Sequence, residues 1–127
     1  VMHRNTYIQS PDVLTRHFSV KNNQRLFFAG QITGVEGYVE SAASGLLAAI
    51  RIADEILGRP THVFDERTVC GALETHISTP TKDFQPMNAN FGLMPPLGYK
   101  VKGGKTAKNE EIAKRSLEII SGIDIWS

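Results

Sequence analysis

Residues 26–57 constrain the chain most. Leu26 to Ala29 is a short apolar run with the length and aromatic content of a buried strand. Gly30, Gly34 and Gly37 punctuate the turn that follows. Beyond it, Val39, Ala42, Ala43, Leu46, Ala49, Ile50, Ala53 and Ile56 recur at three- and four-residue spacing, the period of a helix with one apolar face. Gly58 and Pro60 supply a stop. Ala42, Ala43, Ser44 and Gly45 keep the first turns of the helix thin, and Glu36 and Glu40 suit the positive end of its dipole. Strand, glycine turn and helix, in that order, bring backbone N–H groups towards an anionic or electron-rich ligand. The spacing is not G-x-G-x-x-G, so two readings stay open: a ligand-facing turn, or an ordinary tight strand-to-helix connection.

With 127 residues and 41% hydrophobic content, the chain has material for one modest globular domain. Its net charge of +1 points to no particular partner. No apolar run is long enough to span a membrane, and Val1-Met2-His3-Arg4 has no apolar leader core. The single cysteine, Cys70, forms no internal disulfide, which agrees with a reducing cytoplasm.

Around the central stretch, residues 1–13 read as a loop in which Asp12 caps a brief helical turn. Leu14, Phe18 and Val20 would share one face of a half-buried strand, paired through the Lys21–Gln24 turn with Leu26–Ala29. A helix is expected from Glu66 to about Ser78, with Val69, Cys70, Leu73 and Ile77 on one face. Cys70 lies mid-face, so core packing outweighs nucleophilic use. His3, His17, His62 and His76 have no partners at metal-ligand spacing. Residues 79–98 are proline-rich, yet Phe84, Met87, Phe91, Leu93, Met94 and Leu97 are too apolar for a free linker. They predict an ordered loop strapped across a surface, with Asn88 and Asn90 free for hydrogen bonds. Gly104-Lys105-Thr106 imitates the end of a phosphate-binding loop, but Tyr99 stands where that motif needs glycine. A last helix is expected from about Asn109, its N-cap, to Ser121, with Ile112, Leu117, Ile119 and Ile120 apolar and Lys114 and Arg115 exposed. The basic stretch from Lys100 to Arg115 reads as a solvated, mobile face or as a contact to RNA phosphate.

Leu26-Phe-Phe-Ala-Gly-Gln-Ile-Thr-Gly-Val-Glu-Gly-Tyr-Val-Glu-Ser-Ala42 resembles the carboxyl-terminal flavin-binding segment of the folate- and FAD-dependent tRNA (uracil-5-)methyltransferases, the TrmFO family. The sister family GidA/MnmG, which modifies tRNA wobble uridines, has a related segment. Met2-His-Arg-Asn-Thr-Tyr-Ile8 and Phe84-Gln-Pro-Met-Asn-Ala-Asn-Phe-Gly-Leu-Met-Pro-Pro-Leu97 resemble the TrmFO side specifically. The likeness runs from Met2 to Leu97 and more weakly to the end.

The resemblance implies an α/β fold: the carboxyl-terminal part of a Rossmann-like FAD-binding domain, with a short strand pair, a long cofactor-facing helix and further helices. Residues 1–60 would be the end of that domain and residues 61–127 an extension packed on it. It further implies a piece of a longer cytoplasmic polypeptide whose missing amino-terminal part carries the dinucleotide motif and the catalytic residues. The activity implied is transfer of a one-carbon unit from 5,10-methylenetetrahydrofolate to C5 of the T-loop uridine of tRNA, with FAD as carrier and NAD(P)H as its reductant. The cofactor-facing residues would be Gly30, Gln31, Gly34, Val35, Glu36, Gly37, Tyr38 and Asn5, with Arg4 and Tyr7 beside Asn5. Gly30-Gln31 stands where many related flavoproteins have Gly-Asp, and glutamine still offers the ribityl chain an uncharged hydrogen bond. No catalytic residue and no metal site are expected in this segment, which alone should neither hold FAD tightly nor turn over. The other readings are a GidA/MnmG-type enzyme and a non-enzymatic RNA- or protein-binding module.

Overall fold

The computed structural model describes residues 6–125. A single turn of helix, α1 (Ser10–Val13), opens the described chain, with Pro11 in its first turn. Asp12 lies inside α1, and Gln9 occupies the cap without a side-chain bond. The strand expected from Leu14 to Val20 is broken. Phe18 sits at φ 65°, and its N–H donates to the Thr15 carbonyl at 3.1 Å, closing a turn. Only β1 (Ser19–Val20) remains, antiparallel to β2 (Asn23–Phe27), with Ser19 opposite Phe27 and Val20 opposite Asn23. Leu14 and Phe18 are nevertheless fully buried, reaching the core from the turn. The second strand starts three residues before the expected Leu26 and is not buried: Leu26 is 47% exposed.

Beyond a 3-10 turn at Gln31–Thr33, α2 runs from Tyr38 to Leu57 and stops at Gly58 in the left-handed conformation. The Arg59 N–H closes that end by donating to the Asp54 carbonyl at 3.0 Å. The face of α2 that packs is not the one the apolar spacing suggests. Ser44, Leu47, Ala48, Ile50, Arg51 and Asp54 are buried, whereas Val39, Ala42, Leu46, Ala49 and Ile56 stand exposed. Both sets keep helical spacing, so α2 is apolar on two sides and this chain covers one.

Helix α3 (Val69–Ser78) begins three residues after the expected Glu66, because Thr68 is its cap, accepting the Gly71 N–H at 3.1 Å. Its inward residues Leu73 and Ile77 join Leu14, Phe18, Val35, Leu47, Ala48, Ile50 and Phe64 in the main core. Helix α4 (Gly104–Ser121) begins five residues before the expected cap Asn109, which lies within it. Nothing between Gly104 and Ile112 breaks a helix, and Lys105, Ala107 and Lys108 favour one. Ile112 packs with Ala72 and Met94 in a second, smaller core, while Leu117 is exposed. Arg115 is not a solvated charge: its guanidinium donates to the carbonyls of Pro95 and Pro96. Among the described residues no helix is long and apolar enough to cross a membrane.

Two ionic clusters inside this frame have no signature in the spacing. Glu74 is fully buried and accepts Arg51 Nη2 at 2.6 Å and Arg16 Nη2 at 3.2 Å. The Arg51 guanidinium also lies over the Phe64 ring, 5.4 Å from its centre. Burial lifts the Glu74 carboxyl above its ordinary pKa, while Arg51 and then Arg16 pull the other way. Burial, with Arg51 and Arg16 nearby, lowers His17 to about 4. In the second cluster, buried Asp54 accepts from Arg59 Nε at 2.5 Å, from the His62 backbone N–H at 2.8 Å and from His62 Nδ1 at 2.8 Å. His62 Nε2 lies 2.9 Å from the Asp124 carbonyl, fastening the chain that follows α4.

Candidate flavin-facing turn

The turn from Gly30 to Gly37 is built in two layers. Gly30 donates its N–H to Ser44 Oγ at 2.7 Å, and that hydroxyl donates to the Ser41 carbonyl at 2.8 Å, tying the turn to the first turns of α2. The Gly30 carbonyl accepts both the Thr33 N–H (3.0 Å) and Thr33 Oγ1 (2.7 Å). Thr33, Gly34 and Val35 are buried, whereas Gln31 and Tyr38 face outward and Gly30, Glu36 and Gly37 are partly covered.

The inner layer is closed by the proline-rich loop, which is a strap as the sequence suggests. Met87 donates its N–H to the Gly34 carbonyl at 3.0 Å and accepts the Glu36 N–H at 3.1 Å, forming a one-residue parallel bridge beside Val35. Asn88 Nδ2 donates to the Glu36 carbonyl at 2.9 Å, and Glu40 Oε1 accepts the Ala89 N–H at 2.8 Å. Asn90 instead caps the 3-10 turn at Phe91–Leu93, accepting the Gly92 N–H. Phe84 is buried against Gly34, stacked on His76 (centroids 5.1 Å apart) and edge-on to Tyr7. The Ile8 N–H donates to the Ile32 carbonyl at 2.8 Å, laying residues 7 and 8 beside the turn. Asn5 and Arg4 lie outside the described residues.

These bonds decide which main-chain donors remain. The Gly34 N–H is given to the Gln31 carbonyl at 3.0 Å and the Glu36 N–H to Met87. At α2, Gly37 (φ 108°) occupies the cap, and among the described residues no side chain caps the helix. The Ser41 N–H to the Gly37 carbonyl (3.0 Å) is the first rung of the ladder, so the N–H groups of Tyr38, Val39 and Glu40 stand ahead of it. A Cβ on Gly37 would collide with the Glu40 carboxylate. Tyr38, at the tip, is 97% exposed.

Away from the turn, burial and then Glu74 push the Cys70 thiol up, which leaves it unsuited to be a thiolate nucleophile. Among the described residues no three His, Cys, Asp or Glu side chains cluster as metal ligands do. The sequence places Glu40 at the helix end and Ser44 in its thin first turns but gives no sign of their bonds to Ala89 and Gly30, and for the Met87 main chain the one signal is the apolar residues in a proline-rich loop.

Residues 1–60 match the family model described as glucose inhibited division protein A. The methylenetetrahydrofolate--tRNA-(uracil-5-)-methyltransferase TrmFO of Bacillus subtilis is 52% identical over 124 residues, which are 97% of this chain and 28% of that protein. The TrmFO proteins of Staphylococcus epidermidis (52% identical over 122 residues) and Anoxybacillus flavithermus (53% over 121) each match 94% of this chain and are each covered to 28%. The chain thus spans 28% of the length of these curated relatives. Nearly all of the chain is homologous to one part of the TrmFO proteins, and its first 60 residues are GidA-related.

Proposed function

We propose that this chain is one part of a flavoprotein tRNA methyltransferase and that its turn from Gly30 to Tyr38 supplies one side of the FAD site. The whole protein would transfer a one-carbon unit from 5,10-methylenetetrahydrofolate to C5 of the T-loop uridine of tRNA, with NAD(P)H reducing the flavin. The names of the relatives and their 52% identity support the activity.

The single observation that carries the site is the tip of α2, where among the described residues no side chain caps the helix and the first N–H groups stand ahead of its hydrogen-bond ladder, beside an outward-facing tyrosine ring. The dipole alone is worth about 0.3–2 kcal/mol to negative charge placed there. A flavin's pyrimidine edge, which gains charge on reduction, fits that tip, and Tyr38 offers a flat amphipathic surface for a ring system. Bound there, FAD would supply the redox chemistry of one-carbon transfer. The residues of this chain hold it: the backbone of Gly37 and Tyr38 at the charged edge, and Gly30 and Gln31 along the ribityl chain. Gly34, Val35 and Glu36 act from below, fixed by Met87 and Phe84. In this reading residues 1–60 are the end of a Rossmann-like domain and residues 61–127 the extension that straps it.

The second apolar face of α2 fits the same reading. Val39, Leu46 and Ile56 would pack on the part of a full-length TrmFO-type protein that this chain does not span.

The test is an assay of ribothymidine formation in unmodified tRNA, using a full-length polypeptide carrying this segment, methylenetetrahydrofolate and NADPH. Ribothymidine should form. A flavin-loaded protein that left the T-loop unmethylated but altered wobble uridines would move the reading to the GidA type, as the match over residues 1–60 allows.

A further inference from the structure

Glu40, in the first turn of α2, has its carboxylate fixed at both oxygens. Oε1 accepts the Ala89 N–H of the strap at 2.8 Å, and Oε2 lies so close to the Gly37 Cα that a Cβ there would collide with it. Asn88, the neighbouring strap residue, donates Nδ2 to the Glu36 carbonyl at 2.9 Å, so the strap grips this corner on both sides. A glutamate three residues after the cap ordinarily reaches back to the cap N–H. Glu40 holds that position after Gly37 but bonds the strap instead. The residue is partly buried, and among the described residues no Lys, Arg or His is in an ion pair with it. The tip of α2 thus carries an uncompensated negative charge anchored from a distant part of the chain.

We infer that Glu40 sets the reduction potential of the bound flavin, its fixed charge opposing the electrons that reduction adds. The inference rests on the flavin reading and deepens it. In that reading hydride passes from NADPH to FAD: NADP+ leaves, and two electrons with one proton enter the ring system, which goes from neutral to singly negative. The helix dipole attracts that new charge, while a carboxylate on the same tip repels it. Charge near the ring is one of the means by which a protein tunes a flavin. Glu40 therefore weakens the hold on reduced flavin relative to oxidised flavin and keeps the reduced form a stronger donor. The bond from Ala89 matters because a free glutamate would swing into water, where its field is screened. No contact between Glu40 and the flavin is required; the effect is that of a charge held in place.

The test measures the midpoint potential of FAD in a full-length polypeptide carrying this segment, reduced alongside a reference dye and followed by absorbance. Glu40→Gln keeps an oxygen for the Ala89 N–H and removes only the charge. It should favour reduced flavin at least tenfold over the parent, a rise of about 30 mV or more for a two-electron couple. Glu40→Ala, which removes the bond as well, should raise the potential to the same extent. Glu110→Gln, on the exposed side of α4, should leave it at the parent's value. An unchanged potential in Glu40→Gln overturns the inference. So does a rise in Glu40→Ala alone, which would assign Glu40 to holding the strap. An equal rise in Glu110→Gln overturns it too, since any lost negative charge would then serve. The affinity of Tyr38→Ala for oxidised FAD separates the two failures. Weakened binding with no shift at Glu40 removes this inference alone, and unchanged binding with no shift removes the flavin site with it.

Discussion

The ring of Phe84 occupies the space in which a side chain on Gly34 would stand. Fifty residues apart in sequence, the two are locked by the bond from Met87 N–H to the Gly34 carbonyl and by the φ of 91° that aims that carbonyl at the strap. The glycine therefore serves the fold from below before it serves any ligand above.

Gly34→Ala should destabilise the protein by about 2 kcal/mol or more, adding left-handed backbone strain to overpacking against Phe84. Urea unfolding measures it. A change within about 0.5 kcal/mol, the range of an ordinary surface substitution, would show that the strap yields freely.

Glu74→Ala should cost about 3–5 kcal/mol, because it leaves the buried Arg51 without its carboxylate. Replacing Arg51 and Glu74 together by methionine should recover much of that loss. A double variant as unstable as Glu74→Ala would show that the loss comes from packing around α2 and α3 and not from an orphaned charge.

The fastening at His62 is proton-dependent. Its two ring nitrogens face acceptors only, the Asp124 carbonyl and the Asp54 carboxylate, so both must carry protons, and these two bonds hold its pKa above 6.5. Its stabilising contribution is complete below pH 6.5 and is lost as pH rises through the raised folded value. Burial would raise Asp54, but the His62 backbone and side chain and Arg59 outweigh it and hold the carboxyl at about 2. That contribution is present above the ordinary 3.8 and is lost as pH falls towards about 2. The difference in unfolding free energy between the parent and His62→Gln should be greatest between about pH 3.8 and 6.5 and should shrink as pH rises above that window. A difference that grew with alkaline pH would contradict the bridge. Because His17 also loses stability as pH falls from 6.5 towards 4, the comparison is between variants at each pH.

Leu46→Asp tests the uncovered face of α2. If that face packs on the remainder of a full-length polypeptide, the change should lower stability there by about 2 kcal/mol or more, since it replaces buried apolar area with an unpaired charge. A change within about 0.5 kcal/mol would mean the face is in water in the whole protein as well.

The strand–turn–helix order, the stop at Gly58 and the ordered strap were legible because each rests on local chemistry: glycine, helical period, and apolar residues among prolines. The buried face of α2 was not. Ala42, Leu46, Ala49 and Ala53 form the better apolar stripe, yet the packed side holds Ser44, Arg51 and Asp54, polar residues that bond to Gly30, Glu74 and His62 from distant parts of the chain. Period alone cannot assign a core when both sides of a helix carry apolar residues. The break at Phe18 was hidden for a related reason, since a bulky residue at positive φ is tolerated only through its tertiary setting. At the site, Tyr38 and Gly37 stood out in the sequence. The loss of the Gly34 and Glu36 N–H groups to Gln31 and Met87 depends on pairings no spacing encodes.

The functional reading depends above all on a flavin seated at the tip of α2, against Tyr38. Its sharpest test is the dissociation constant of FAD for the full-length polypeptide with Tyr38→Ala, beside the parent and Tyr38→Phe. We predict affinity at least tenfold weaker for Tyr38→Ala and near that of the parent for Tyr38→Phe, with melting of the apoproteins unchanged. Equal FAD affinity in all three proteins would remove the flavin from this tip.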